Sequence, residues 1–413
     1  MAPPLLREPA FRLYWSAQTV SLFGDQVTLL AMPLLAVLTI GAGPAQMGCL
    51  TAAALVPNLL FSLPAGAWVD RCPHKRRLMI LADLGRAVLL LAVPLLWWGG
   101  GLTLPVLYAV AFGTGTLSVL FEVAHSSLFA DLVRRPDYVR ANSLVNGSRA
   151  MSFVAGPSLG GVLVQVFTAP FALLADVVTF VASAGFLSRM VVEERPIARA
   201  GTGGGMVAGM RFVMGSPILR PILLGASTLN LFNYLFAALF VLYATTQLHI
   251  APGTLGLILG SGAVGGLIGA VVAGPIARRI GVGPALILGM VVFPAPLILV
   301  PPAHGPAPLF VAELGSALGV MLLDITAGSV QTAATPKDRL SVVSGFKRTV
   351  NYGIRPVGAV LGGVLGTVIG VRPALWVAAI GGLLGVVWVV LSPLRTMREL
   401  PEAGHADQAY RCR

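Results

Sequence analysis

Apolar runs of about twenty residues recur along almost the whole chain, and a run of that length lets one helix cross a hydrocarbon core of about 30 Å. Inside such a solvent, each backbone N–H and C=O has to be satisfied by the chain itself, which favours helices as the spanning elements. The expected fold class is therefore all-α and integral to a membrane. Hydrophobic residues make up 56% of the chain and charged ones 11%, whereas soluble domains carry about a quarter charged residues. Little sequence is left for a soluble domain.

Reading the apolar runs between polar breaks places spans at 13–39, 46–68, 78–98, 103–124, 142–166 and 170–189. A second set follows at 219–245, 253–276, 284–301, 307–330, 341–369 and 372–392. Twelve transmembrane helices then divide into an N-terminal half, 1–192, and a C-terminal half, 219–392, joined by a polar linker at 193–218 and followed by a tail at 393–413. The opening residues MAPPLLREPAFRLYW lack the small-residue cleavage site of a signal peptide, so the first span is expected to be retained.

Basic residues mark one side of the membrane. Arg71, Lys75, Arg76 and Arg77, then Arg134, Arg135 and Arg140, then Arg278 and Arg279, all fall in alternate loops. The opposite loops near 40–46, 98–103, 167–169, 246–252 and 302–307 hold no Lys or Arg, and only Arg372 belongs to their side. Cytoplasmic loops are the basic ones, which places both termini in the cytoplasm. The net charge of +12 is spread over these loops; nucleic-acid binding would need it gathered on one exposed face.

Three scattered cysteines, Cys49, Cys72 and Cys412, signal neither a disulfide framework nor a metal cluster. The five histidines, His125 among them, are expected in loops, at helix ends or in the tail. No metal, haem or other cofactor is expected, and no His, Cys or Ser triad suggests an enzyme. The glycine runs lack the Lys-Ser or Lys-Thr of a nucleotide-binding loop, so energy should come from an ion gradient.

Two segments repeat at similar offsets. LGGVL at 159–163 returns at 361–365, and AGAWVDR at 65–71 is matched by AGPIARR at 273–279. Halves related in this way, with a substrate site near the midplane, are a design of secondary transporters. The loop GAWVDRCPHKRRL carries Gly66, Asp70, Arg71 and Lys75 in the order of a signature of the major facilitator superfamily, with Pro73 and His74 departing from it. The fifth span, SFVAGPSLGGVL, resembles the motif of that superfamily's proton-coupled exporters through Ser152, Gly156, Pro157, Gly160 and Gly161. The stretches SLFGDQVTLLAMPLL, ADLGRA and FALLADVVTFVAS extend the resemblance to a bacterial branch that holds enterobactin exporters and macrolide-efflux proteins.

Ionisable side chains at bilayer depth are costly and so are functional hypotheses by default. Asp25 lies about 17 Å into the first span at 1.5 Å per residue. Because the resemblance implies that this helix borders a central cavity, Asp25 is the leading proton-coupling or cation-recognition residue, with a helix-bridging hydrogen-bond acceptor as the plainer alternative. Glu313 and Asp324 share one face of the tenth span. Glu313 is expected to join Asp25 in proton exchange, with an outer-gate role as the alternative. The resemblance implies gating roles for Asp70, Arg71 and Lys75, and Glu122 and Asp324 are expected to form gate salt bridges, Glu122 with Arg71 or His74 and Asp324 with Arg278 or Arg279.

Asp83 and Arg86 are three residues apart and are expected to pair; Asp176 is read as structural. Asn230, Asn233 and Tyr234 offer polar groups on a Phe-rich surface suited to bulky amphipathic molecules, and Arg355 is a further ligand or the partner of an acid. Gly156, Pro157, Gly160 and Gly161 are expected to let a neighbouring helix approach closely.

These readings converge on a monomeric exporter of the bacterial plasma membrane. It would move a drug, secondary metabolite or siderophore outward by alternating access while protons flow in. A proton-coupled uptake symporter of the same fold, or a non-transporting scaffold, are the alternatives.

Overall fold

The computed structural model describes residues 5–69, 71–192, 206–336 and 339–400, and their regular structure is helical throughout. In the first part of the chain α1 (Pro9–Leu38), α2 (Pro44–Val69), α3 (Lys75–Trp98), α4 (Leu104–Leu132), α5 (Tyr138–Phe167) and α6 (Ala169–Ser188) follow in order. Next come α7 (Met206–Gly215), α8 (Leu219–Thr246), α9 (Pro252–Ile280), α10 (Val282–Val292), α11 (Pro306–Ala334), α12 (Leu340–Val368), α13 (Val371–Leu383) and α14 (Gly385–Val390). Proline stands at the first helical position of α1, α2, α9 and α11, where its missing N–H would have had no intrahelical acceptor anyway.

Every expected span coincides with helix, and most differences lie at the ends. Two spans are broken. The span expected at 284–301 becomes α10 plus a 3-10 turn at Ala295–Leu299, because Pro294 and Pro296 can donate no backbone hydrogen bond. The span at 372–392 divides into α13 and α14 at Leu384. Part of the linker is ordered as α7, whose Gly209 lies so close to α12 that an added Cβ would sit 2.8 Å from the Val342 carbonyl.

Eleven segments among the described residues are long and apolar enough to cross a membrane. The helix missing from that group is α12, where Lys347, Arg348 and Arg355 interrupt the apolar pattern. A count of twelve spans is compatible with this set, with α12 as the charged member.

The described residues form two compact units: those within 1–200 together with 244–260, and those within 201–243 together with 261–413. In the first unit α1 packs on α5 and α6, α3 on α4 and α6, and α2 on α4. The most apolar window of α1 is 61% buried, against 28% for α2 and α4. A helix covered on so many sides is where a polar side chain has consequences for all its neighbours. In the second unit α10 packs on α11 and α12 on α7.

Close helix approach depends on glycines, and the same pattern appears in both units. A Cβ at Gly156 would sit 2.4 Å from Gln26 Cβ, and one at Gly160 would sit 3.1 Å from Val27 Cα, both on α1. Gly161 faces the start of α9, with the Pro252 carbonyl at 2.3 Å from such a Cβ and Gly256 Cα at 3.1 Å. On α12, Gly358 and Gly362 lie equally tight against the Leu231 and Leu235 carbonyls of α8. Small residues replace side-chain bulk with backbone contact, a main route to helix association in lipid.

Gly160→Leu should therefore leave membrane insertion intact but abolish transport, because α1 cannot retreat without moving its buried neighbours. Normal transport by that variant in membrane vesicles would remove the close-packing account of the motif.

Candidate functional site

The first unit is built around one buried guanidinium. Arg86 on α3 is 2% exposed and forms an ion pair with Asp83, one turn earlier on the same helix and fully buried. Its Nη1 donates to Ser118 Oγ on α4 at 3.3 Å and reaches Asp25 Oδ1 on α1 at 3.5 Å. The second oxygen of Asp83 accepts from Ser183 Oγ on α6 at 2.6 Å. Phe121 and Phe180 cover the guanidinium, with ring centroids 4.6 and 4.1 Å from Cζ. One cation thereby ties together α1, α3, α4 and α6.

Asp25 differs from the other members of this network. It sits midway along α1, and its side chain is 41% exposed although its partner Arg86 is buried. Beside it, the buried Asp176 accepts hydrogen bonds from Thr28 Oγ1 at 2.5 Å and Thr179 Oγ1 at 2.7 Å. Gly24 makes this possible, since any Cβ there would fall 2.0 Å from both Asp176 Oδ1 and Thr179 Oγ1. Asp83 and Asp176 are thus fixed by hydroxyl donors, while Asp25 holds one long ion pair and an open face.

In the second unit, Asn230, Tyr234 and Arg355 come together. The amide of Asn230 donates to the Ala226 carbonyl at 2.9 Å, which turns its Oδ1 toward Arg355 Nε at 3.3 Å. Arg355 stacks over Tyr234 and Tyr352, 5.2 and 4.8 Å from the ring centroids. Arg348 approaches Tyr352 too, at 5.2 Å. Lys347 donates to Gln331. Glu313, midway along α11, is partly buried and meets no cation within 4.0 Å among the described residues; Gly262 on α9 lies beside its carboxylate. Asn233 is partly buried and joins no hydrogen bond with the Arg355 cluster among the described residues.

The profile of a family described as transmembrane secretion effector matches residues 1–409, almost the entire chain. The chain belongs to that family, within the major facilitator superfamily. Like other members of the superfamily it is a multi-pass membrane transporter. The multidrug efflux pump Tap of Mycobacterium tuberculosis is 27% identical over 426 residues, covering 96% of each chain. An MFS-type transporter of Bacillus subtilis, YfiS, is 26% identical over 239 residues, covering 55% of this chain and 54% of its own. Among solved structures, the nucleoside transporter NupG superimposes with a TM-score of 0.76 at 10% identity, covering 92% of this chain and 98% of NupG. A bacterial homologue of the iron transporter ferroportin, in an inward-facing state, does so at 0.73 and 19% identity over 94% and 99% of the two chains. At these identities the structural likeness establishes the major facilitator fold alone.

Within this transporter frame, several expected pairings change partner. Glu122 meets Arg149 on α5 at 3.9 Å, not Arg71 or His74. The reason is the length of α4, which ends at Leu132 rather than near 124 and so holds Glu122 about 15 Å inside its end at 1.5 Å per residue. Asp131, overlooked in the sequence, occupies that end and pairs with the buried Lys75 at 2.7 Å. His125 is likewise inside α4 and not at a helix end, stacked on Tyr14 and bonded to its hydroxyl at 3.1 Å.

Asp324 shows the same effect, because α11 continues to Ala334. It has no ion pair with Arg278 or Arg279 among the described residues, and the cations acting on it are Arg355 and Lys347 of α12. Arg71 is exposed, and Asp70 lies outside the described residues. Arg76, next to Lys75, donates to carbonyls at the end of α6, including Ser188 at 3.1 Å.

Removing one partner of a buried ion pair costs about 3–5 kcal/mol, because the other charge is left uncompensated. Arg86→Leu should therefore lower thermal stability in detergent severely. The double variant Asp83→Asn/Arg86→Leu should recover part of the loss. A double variant no more stable than Arg86→Leu would show that Asp83 is not the charge Arg86 compensates.

Proposed function

We propose that this transporter is a proton-coupled exporter of small organic molecules in the bacterial plasma membrane, working by alternating access as a monomer with both termini in the cytoplasm. The reading extends to this chain the efflux named for the Tap relatives. Asp25 carries the coupling part of the proposal. It is an acid midway along the most enclosed helix, open on one face and linked on the other to a cation that touches three further helices.

An acid so placed can exchange a proton with an aqueous path and pass the change in charge to its surroundings. When Asp25 is ionised it competes with Asp83 for Arg86; when it is protonated, Arg86 is left to Asp83 alone. Because Arg86 also bonds Ser118 and stacks on Phe121 and Phe180, the two states favour different positions of α1 against α3, α4 and α6. A ligand or proton shifts a conformational equilibrium only through such a difference between states. Glu313, which has no cation beside it among the described residues, serves as the second exchanging acid. Asn230, Asn233 and Tyr234 line the substrate path. No bound cofactor or nucleotide enters the cycle, whose energy is the proton gradient.

In everted membrane vesicles, wild type should accumulate a toxic dye when a proton gradient is imposed, and a protonophore should abolish the accumulation. Asp25→Asn should reduce gradient-driven accumulation by roughly tenfold or more, the scale of a lost charge-assisted interaction, while facilitated downhill movement persists. Undiminished gradient-driven accumulation by Asp25→Asn would dismiss Asp25 as the coupling acid. Movement of dye out of such vesicles under the gradient would instead mark an importer.

A further inference from the structure

The two units treat buried and half-buried cations differently. All four ion pairs with N···O within 4.0 Å among the described residues, those of Lys75, Arg86 with two acids, and Arg149, belong to the first unit. In the second unit, α12 carries Lys347, Arg348 and Arg355 over little more than two turns, and their hydrogen-bond and ring partners are neutral: Gln331, Tyr352, Asn230 and Tyr234. Asp324 is the acid whose charge opposes Lys347 and Arg355, and it forms no ion pair with either within 4.0 Å among the described residues.

Positive-inside anchoring accounts for Lys347 and Arg348, which lie toward the start of α12. It does not account for Arg355, which is midway along the helix. Cations at such depth ordinarily pair with an acid or face a hydrated path. Here the guanidinium is instead held in one orientation. Asn230, itself anchored to the Ala226 carbonyl, takes Nε, and two tyrosine rings cover its faces. A guanidinium held through Nε by Asn230, and sharing a further hydrogen bond with the Tyr234 hydroxyl, keeps remaining Nη donors for a planar oxyanion, which arginine binds through charge-assisted hydrogen bonds. The flanking tyrosines supply aromatic surface for the rest of such a molecule.

We propose that Arg355, clamped between Tyr234 and Tyr352 and oriented by Asn230, recognises the carboxylate or equivalent planar anion of an aromatic substrate. The inference rests on the exporter reading above and narrows it from small organic molecules in general to aromatic acids. The excess positive charge of α12 draws the anion toward this helix, and Arg355 binds it. Neutral esters of the same compounds lose that contact and keep only the aromatic one.

Binding of dansyl-phenylalanine, which carries a free carboxylate, and of its uncharged methyl ester can be compared by fluorescence anisotropy on the purified protein in phosphatidylcholine nanodiscs. Wild type should prefer the acid by roughly tenfold, the scale of one charge-assisted contact. Arg355→Gln should erase that preference while holding the ester within about twofold of wild type, which also shows that the variant is folded. Arg355→Lys should keep part of the preference, since charge survives without the guanidinium's donor geometry. Equal binding of acid and ester by wild type, or a preference that survives Arg355→Gln, would overturn the proposal. So would Arg355-dependent displacement of dansyl-phenylalanine by phosphatidylglycerol, which would assign the site to a lipid headgroup. Binding needs no gradient, so the two readings fail separately. A carboxylate preference without gradient-driven accumulation in everted vesicles leaves the anion site standing and removes the exporter. Accumulation of the ester without any carboxylate preference does the reverse.

Discussion

A charge inside a hydrocarbon layer must bring its own solvent, and in the first unit Arg86 organises that requirement. Two carboxylates, a serine hydroxyl and two aromatic faces replace the water it would otherwise hold. These groups come from α1, α3, α4 and α6, so the positions of four helices are tied to one side chain. Lipid offers little hydrophobic drive for helices to associate, because its tails are as apolar as leucine. Polar contacts and close backbone packing then decide the arrangement, and this unit uses both: the Arg86 network on one side of α1 and Gly156 with Gly160 on another.

That combination explains why α1 is crowded with small and polar residues where a lipid-facing helix would carry leucine. Gly24 gives way to Asp176 and Thr179, Gln26 and Val27 meet the glycines of α5, and Asp25 turns toward Arg86. Four successive positions thus serve three different neighbours. Any motion of α1 has to break or exchange contacts of each kind, which favours two discrete arrangements over a continuum. A group whose charge can change, placed at the centre of this segment, is well sited to choose between them.

Much of this was legible in the chain. Segment length and apolarity mark the helices, since a bilayer permits so few other structures, and the Asp83–Arg86 pair follows from helical spacing alone. The glycine motif is visible as a repeat, and its matching use on α12 follows from that repeat. What could not be read were helix ends. The apolar run of α4 fades near Glu122, yet the helix continues through His125 to Asp131, because protein neighbours and the membrane edge accept polar residues that lipid would not. Ending the helix early misplaced Glu122 and His125 and hid Asp131. Asp324 was misjudged in the same way on α11. Partners across helices, such as Ser118 and Ser183 for the Arg86 network, carry no periodic signal that points to them.

The contrast between α5 and α12 shows how a duplicated frame can be put to different uses. Both helices keep glycines that seat them against a neighbour, Gly156 and Gly160 on α1, Gly358 and Gly362 on α8. The cations near those glycines stand at positions the repeat does not pair, since its 202-residue offset sets Arg149 against Asn351 and Arg355 against Phe153. Arg149 on α5 finds Glu122, whereas Arg355 on α12 finds an amide and two phenol rings. Packing stability would be served as well by a leucine at 355, and more cheaply, since an arginine at that depth carries a desolvation cost of a few kcal/mol. A neutral aromatic cradle offsets only part of that cost. The sequence therefore retains at 355 a charge that forms no ion pair within 4.0 Å among the described residues and is opposed at longer range by Asp324, which leaves it able to take up an anion arriving from outside the chain.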